Sequence, residues 1–252
     1  MLNKSRLRNF KKTVTGSFII IIFTCGVFQS ASVENVFAEK LNNLSDLNNS
    51  PKINKYLYSR AQQKDMFKVG LYWDKKLGLS QGCKEGREVI AITLMLLEPI
   101  DFPEDKAHPV AGVWQHRFAF KRCGEQKIYN AIFVANKGER PKIAPYFPGT
   151  TSTSTLLLHD AMTSVMTSAL LKIRELNNQE KCNNVELIDT LLKKSPHDVI
   201  ENGITTKGVW NEEWTLRGCG QTVKVPIIFS PDGSGGTTFI IKTTLPPAKD
   251  KP

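Results

Sequence analysis

The chain has 252 residues, of which 40% are hydrophobic, 9% aromatic and 23% charged, enough apolar content for packed cores and too much for a disordered chain. The formal charge is +10, from 34 Lys/Arg against 24 Asp/Glu, but five of the bases (Lys4, Arg6, Arg8, Lys11, Lys12) precede a short apolar stretch at 16–28. Without residues 1–38 the balance falls to 29 bases, 23 acids and +6, with no Lys/Arg run or aromatic ladder that would track phosphates, so nucleic acid is not an expected partner.

Residues 1–38 read as an export signal: a basic start, an apolar segment shorter than the about 20 residues of a membrane span, then Val36-Phe37-Ala38, which places cleavage after Ala38. The rival readings are an uncleaved anchor and a lipoprotein acylated at Cys25; Thr24 is a poor residue before a lipidated cysteine. The membrane thus enters only through this segment, and the protein is expected in the periplasm or outside the cell. Residues 39–51, rich in Asn, Ser and Lys, lack apolar periodicity and read as a flexible lead-in.

Residues 52–150 form a first expected module. Tyr58, Ala61, Met66, Val69, Trp73 and Leu77 suggest a helix, interrupted by Gly70. Residues 89–97 are apolar on both faces, as expected for a buried central strand. Next comes a strand placing Trp114, His116, Phe118 and Phe120 on one face, then Cys123-Gly124 as a turn, then a strand with Tyr129, Ala131 and Phe133 inward. Asn136-Lys137-Gly138 turns again, and Pro141, Pro145 and Pro148 break the segment after that turn.

Residues 151–245 repeat this order, with a tail at 246–252. Ser154 caps a helix whose stripe is Leu158, Met162, Val165, Ala169, Ile173 and Leu176. A mixed strand at 185–192 precedes Gly208-Val209-Trp210, Glu212, Trp214 and Leu216, then Cys219-Gly220 and an inward-facing Val223, Val225, Ile227 and Phe229. Pro226 argues that this strand is an edge or is bulged. Residues 232–236, Asp-Gly-Ser-Gly-Gly, make a turn before a last strand at 237–244. The elements from Gly112 to Phe133 recur from Gly208 to Phe229 at a constant offset of 96, 114 to 210 and 123 to 219 alike. The expected fold is therefore α+β: two tandem copies of a module in which one helix packs on a small antiparallel sheet.

Four cysteines remain outside the signal, and parity, export and the repeat pair Cys83 with Cys123 and Cys182 with Cys219. Closing a loop of about 40 residues is worth on the order of 3 to 4 kcal/mol in the chain-entropy account. Zinc is the rival, but no spacing is Cys-x-x-Cys and no His pair stands at ligand spacing, so neither metal nor cofactor is expected. The run from Trp210 to Thr237, W-x-E-x-W, Cys-Gly, V-x-V-P-I-x-F and P-D-G-x-G-G-T, resembles segments of uncharacterised exported bacterial proteins. That resemblance implies export and no particular activity; the first module departs from it at His116, Phe118 and Asn130.

No catalytic residues stand out. Gly233-Ser234-Gly235 lacks the spacing of a serine-hydrolase elbow and reads as a hairpin turn. Asp65 and Asp160 read as helix-surface or capping residues. His116 and Glu212, aligned by the repeat, stand among aromatics, and a buried carboxylate needs either a partner or a cleft that solvent reaches. On the cleft reading Trp210, Glu212 and Trp214, with Trp114 and His116 in the first copy, bind a small polar ligand. The expectation is an exported protein of binding or interaction type, its partner a small polar ligand or an envelope protein; the alternative is a cell-envelope hydrolase using Glu212.

Overall fold

A computed structural model describes residues 39–79, 82, 86–177, 182–201 and 204–242. The expected signal, Cys83 and the tail at 246–252 lie outside the described residues. The fold is α+β with two antiparallel sheets, each a simple meander.

The first sheet has the order β1 (Glu39–Leu41), β2 (Glu88–Phe102), β3 (Ala111–Arg122), β4 (Glu125–Asn136), β5 (Lys142–Tyr146). The second has β6 (Glu186–Glu201), β7 (Ile204–Gly218), β8 (Gln221–Pro231), β9 (Thr237–Ile241). Three helices complete the described fold: α1 (Pro51–Leu57), α2 (Arg60–Leu77) and α3 (Thr155–Asn177).

Residues 39–51 carry regular structure where a flexible lead-in was expected. β1 pairs with the end of β2, a 3₁₀ turn covers Leu44–Asn49, and Leu41, Ile53 and Leu57 are fully buried. The Glu39 carboxylate accepts the Lys52 and Ile53 amides at 3.2 and 3.0 Å, satisfying orphan donors at the start of α1. The apolar residues of this segment, Leu41, Leu44 and Leu47, recur every third position, but over too short a run to mark an element by themselves.

α2 and α3 each lay a stripe on their own sheet. Met66, Val69 and Trp73 are buried in the first core, Val165, Ala169 and Ile173 in the second. The phase of burial follows the offset of 96, from Val69 to Val165 and from Trp73 to Ala169. Tyr58, which begins the expected first stripe, lies outside the helix and is exposed. Gly70 has a packing reason: a Cβ there would come within 2.4 Å of the Phe120 ring.

Strand register repeats too. Trp114 faces Phe133 on β3–β4, and Trp210 faces Phe229 on β7–β8; Phe133 faces Ile143 on β4–β5, and Phe229 faces Phe239 on β8–β9. Both β3–β4 and β7–β8 connections are two-residue turns, Cys123-Gly124 and Cys219-Gly220, with every φ positive (41° and 82°, 49° and 78°). A two-residue type I′ turn has both central residues at positive φ, which Gly124 and Gly220 adopt freely. Cys182 and Cys219 are disulfide-linked with Cα atoms 6.0 Å apart. Cys123 is also disulfide-bonded, but the expected pairing involves Cys83 and so falls outside the described residues.

Three expectations for strands need correction. β5 forms despite Pro145, as an edge strand can carry a residue without an amide hydrogen. β8 is central and regular despite Pro226. The Pro226 carbonyl accepts the Lys242 amide at 2.9 Å, one residue beyond the β8–β9 ladder, so the missing N–H faces the side where pairing has ended. Residues 89–97 are not a buried central strand: β1 covers only Ile100, Asp101 and Phe102, leaving Ile90, Ile92 and Met95 37%, 48% and 40% exposed.

Candidate functional site

The residues singled out in the sequence lie on the two Trp strands, under the points where the chain enters a helix. Alternation turns Trp114, His116, Phe118 and Phe120 on β3, and Trp214 and Leu216 on β7, into their sheets' cores, where all six are fully buried. Glu212 is buried beside them and Trp210 half-buried. The five candidate binding residues therefore form no open pocket, because each helix and the segment leading into it close over that face.

Glu212 meets the cost of burial through hydrogen bonds. Its Oε1 accepts the Trp210 indole N–H at 3.0 Å and the Ser152 amide at 2.8 Å, and Oε2 accepts the Trp214 indole N–H at 2.7 Å. Of the alternatives that sequence left open for this acid, partner or cleft, the structure has the partner. The carboxylate holds the chain two residues before Ser154, whose hydroxyl caps α3 by accepting the Leu157 amide at 3.2 Å. Trp210 stacks on Phe229 with centroids 5.0 Å apart, as Trp114 stacks on Phe133 at 5.5 Å.

His116 occupies the matching place without matching chemistry. Neither ring nitrogen makes a hydrogen bond of normal geometry; the ring packs edge-on to Phe133 and Tyr58, with centroids 5.5 and 6.1 Å away. Burial pushes its pKa down from 6.5 to about 4, opposed only by the nearby Leu57 carbonyl.

Between the sheets runs a polar seam that single residues in the sequence did not announce. A strap at 147–153 leaves β5 and crosses to α3. Asn130 donates through Nδ2 to the Phe147 and Gly149 carbonyls, Arg117 donates to Asn130 Oδ1 at 3.1 Å and to the Thr151 carbonyl, and the Gly149 amide donates to Ile128 at 2.8 Å. On the other side, Thr190 on β6 donates from its hydroxyl to the Pro148 carbonyl at 2.7 Å and accepts the Thr151 amide at 3.2 Å, while its carbonyl accepts the Thr150 amide at 2.6 Å. Burial lowers the Arg117 pKa, and nearby Glu212 raises it in part. Burial raises that of Asp189, with Lys127 opposing. A second tie is Arg217, which donates to the last carbonyls of α2, at Lys76 and Leu77, and to Glu186 at 2.7 Å.

Other buried charges also escaped the sequence pattern. Asp65, expected at the helix surface, is buried and accepts Arg140 at 2.7 Å on both oxygens and Lys68 at 3.0 Å; its main partner lies 75 residues away. Asp160 is at the surface. Asp74 is fully buried and accepts the Tyr129 hydroxyl at 2.9 Å, with Arg122 Nε 3.4 Å away; burial first, then Asp74, drives the Tyr129 pKa upward. Among the described residues no group of three His, Cys, Asp or Glu side chains converges as a metal site. The Gly-rich segment is a turn organised by Asp232, whose Oδ1 accepts the Ser234 and Gly236 amides at 2.8 and 2.9 Å.

One place open to a ligand lies on the outer face of the second sheet. There a cavity of about 330 Å³ sets His197, Asn211, Ser230 and Lys242 around the apolar floor of Val209, Ile228 and Ile240. His197 Nδ1 lies 2.9 Å from the Ser195 carbonyl, which favours the Nδ1–H tautomer and leaves Nε2 as an acceptor. The site has polar groups of both kinds around an apolar base, the usual make-up of a small-molecule site. Compared with protein-family models, with curated proteins and with solved structures, the chain matches none of them.

Proposed function

We propose that this is an exported protein of binding or interaction type, made of two tandem copies of one module, and not an envelope hydrolase. The observation that carries the reading is the state of Glu212: the one acid that sequence offered for catalysis is sealed and occupied by three donors. Duplication is supported by the offset of 96, which recurs in helix burial, strand register, the Cys-Gly turns and the Trp–Phe stacks. Export is supported by the basic and apolar start of the chain, by the Cys182–Cys219 bridge and by the resemblance of Trp210 to Thr237 to segments of exported proteins. The small polar ligand moves from the aromatic cluster to the cavity around His197, Asn211, Ser230 and Lys242.

Glu212→Gln tests the central point. The amide keeps one acceptor oxygen but turns an NH₂ toward an indole N–H or the Ser152 amide, which should cost about 2 kcal/mol through the unmade hydrogen bond. Lower Tm with no turnover of envelope polymers in either form is the expected result. Turnover in the native chain that the variant loses while still folded would establish the hydrolase. Amino-terminal sequencing of protein recovered from outside the cytoplasm should begin at Glu39.

A further inference from the structure

The two long helices turn different faces outward. On α2, Arg60, Lys64, Lys68 and Tyr72 recur every fourth residue, so they stand one above another as a ridge of about 18 Å on the side away from the sheet. All four are exposed, the Lys68 side chain by 57% and Tyr72 by 47%. The acids of α2 are Asp65 and Asp74, and both are buried: Asp74 beside Tyr129 and Arg122, Asp65 between Lys68 at 3.0 Å and Arg140 at 2.7 Å. The Arg140 side chain is half-exposed and widens the ridge at Lys68, because both bases reach the same Asp65 oxygen. Arg60, Lys64, Lys68 and Arg140 against Asp65 leave a surplus of three positive charges, and the turn before Arg140 adds Lys137 and Glu139, which cancel. At the positions 96 residues further on, α3 has Leu156, Asp160, Ser164 and Ser168, without a base. The stripe that faces the core recurs in the second helix and the basic ridge does not, so covering a sheet does not call for it.

We propose that this ridge docks on an anionic phospholipid surface. Shape favours lipid among the possible polyanions. α2 is held to its sheet through Met66, Val69 and Trp73, so the ridge is convex, and its charges stand at the ends of long flexible stems. A flat array of head groups meets such a ridge at all its charges together. A linear polyanion is held instead by a groove with a row of stacking rings, and the ridge has a single ring. That ring is a tyrosine, the kind of side chain enriched at the level of lipid head groups, and Tyr72 is steadied edge-on against Trp73 with centroids 5.4 Å apart. Each Lys or Arg near an anionic leaflet strengthens attachment about fivefold, so a surplus of three gives reversible contact at the surface. No helix of the described residues is long and apolar enough to cross a membrane, which fits docking and not insertion. The proposal goes beyond the cavity around His197 and holds whether or not that cavity takes a ligand.

The chain from Glu39 onward, which contains every described element, can be sedimented with vesicles. It should partition about a hundredfold more strongly onto equal parts of phosphatidylglycerol and phosphatidylcholine than onto phosphatidylcholine alone, and salt raised from about 0.05 to 0.5 M should release it. Arg60→Gln and Lys64→Gln should each weaken partitioning about fivefold, and together about 25-fold. Lys193→Gln with Lys194→Gln, two exposed lysines on β6, removes the same charge elsewhere and should change partitioning less than about twofold. Circular dichroism should be unchanged in both double variants. Absence of binding overturns the proposal, as do equal binding to the two kinds of vesicle and equal losses in the two double variants. Tighter binding to duplex DNA or soluble polyphosphate than to the anionic vesicles, lost in Arg60→Gln with Lys64→Gln, would assign the ridge to a soluble polyanion instead.

Discussion

His116 and Glu212 stand 96 residues apart at the same place on their sheets, beneath the chain as it enters a helix, and they resolve burial in opposite ways. Glu212 can be buried only with its oxygens hydrogen-bonded, so the second half of the molecule brings two indoles and a backbone amide to it, and the strap is fixed as a result. An imidazole can shed its charge, so His116 sits between aromatic edges with only the nearby Leu57 carbonyl as a polar neighbour and leaves its surroundings free. The acid organises the chain around it, whereas the imidazole is only tolerated.

The sharpest way to break the comparison is to charge both cores at matched positions. Val165→Asp and Val69→Asp each place an unpaired carboxylate under a helix, and each should cost about 3 to 5 kcal/mol. Equal losses of Tm mean that the two helices cover their sheets alike; an unchanged Tm for either shows a stripe facing solvent.

Acid should separate the halves next. His116 is neutral in the fold with its pKa near 4 against 6.5 when unfolded, so the unfolded chain takes up the proton first as pH falls. Stability is full above about 6.5, declines between 6.5 and 4, and changes no further from this group below 4, a loss of about 3 kcal/mol. Denaturant titrations at pH 7 and 4.5 should show the loss in the native chain and a flatter response in His116→Leu. An equal slope in both would place the acid sensitivity elsewhere.

The smallest expected effect concerns Gly70, where the other half has Met166. Helix propensity favours alanine by about 1 kcal/mol, but a Cβ pressed into Phe120 costs about 1 to 3 kcal/mol, for a net loss of about 1 kcal/mol. In a Phe120→Leu background Gly70→Ala should become neutral or stabilising; undiminished loss there would show that the ring is not the obstacle.

Much of this fold was legible because its information is local. The α3 stripe is visible at spacings of three and four, and the paired Trp, Phe and Cys-Gly positions already contain the strand registers. β2 misled because a run of apolar residues reports affinity for a core, while its exposure is decided by β1 stopping after three residues. The buried pairs were hidden for a similar reason: Asp65 reaches Arg140 and Tyr129 reaches Asp74 across 75 and 55 residues, with nothing near either partner to signal the other. For Glu212, sequence defined the problem of a buried acid, and only folding supplied Ser152, 60 residues away, as part of the answer.

The strap also governs how the molecule comes apart. A Cβ on Gly149 would fall 2.0 Å from the Thr190 carbonyl oxygen, so the crossing is held at a separation that admits only glycine there. Its hydrogen bonds run to Ile128 and Asn130 on one side and to Thr190 and Glu212 on the other. Opening either sheet strips partners from the segment that completes the other, so the two cores melt as one cooperative unit, and each half by itself lacks part of what holds it closed.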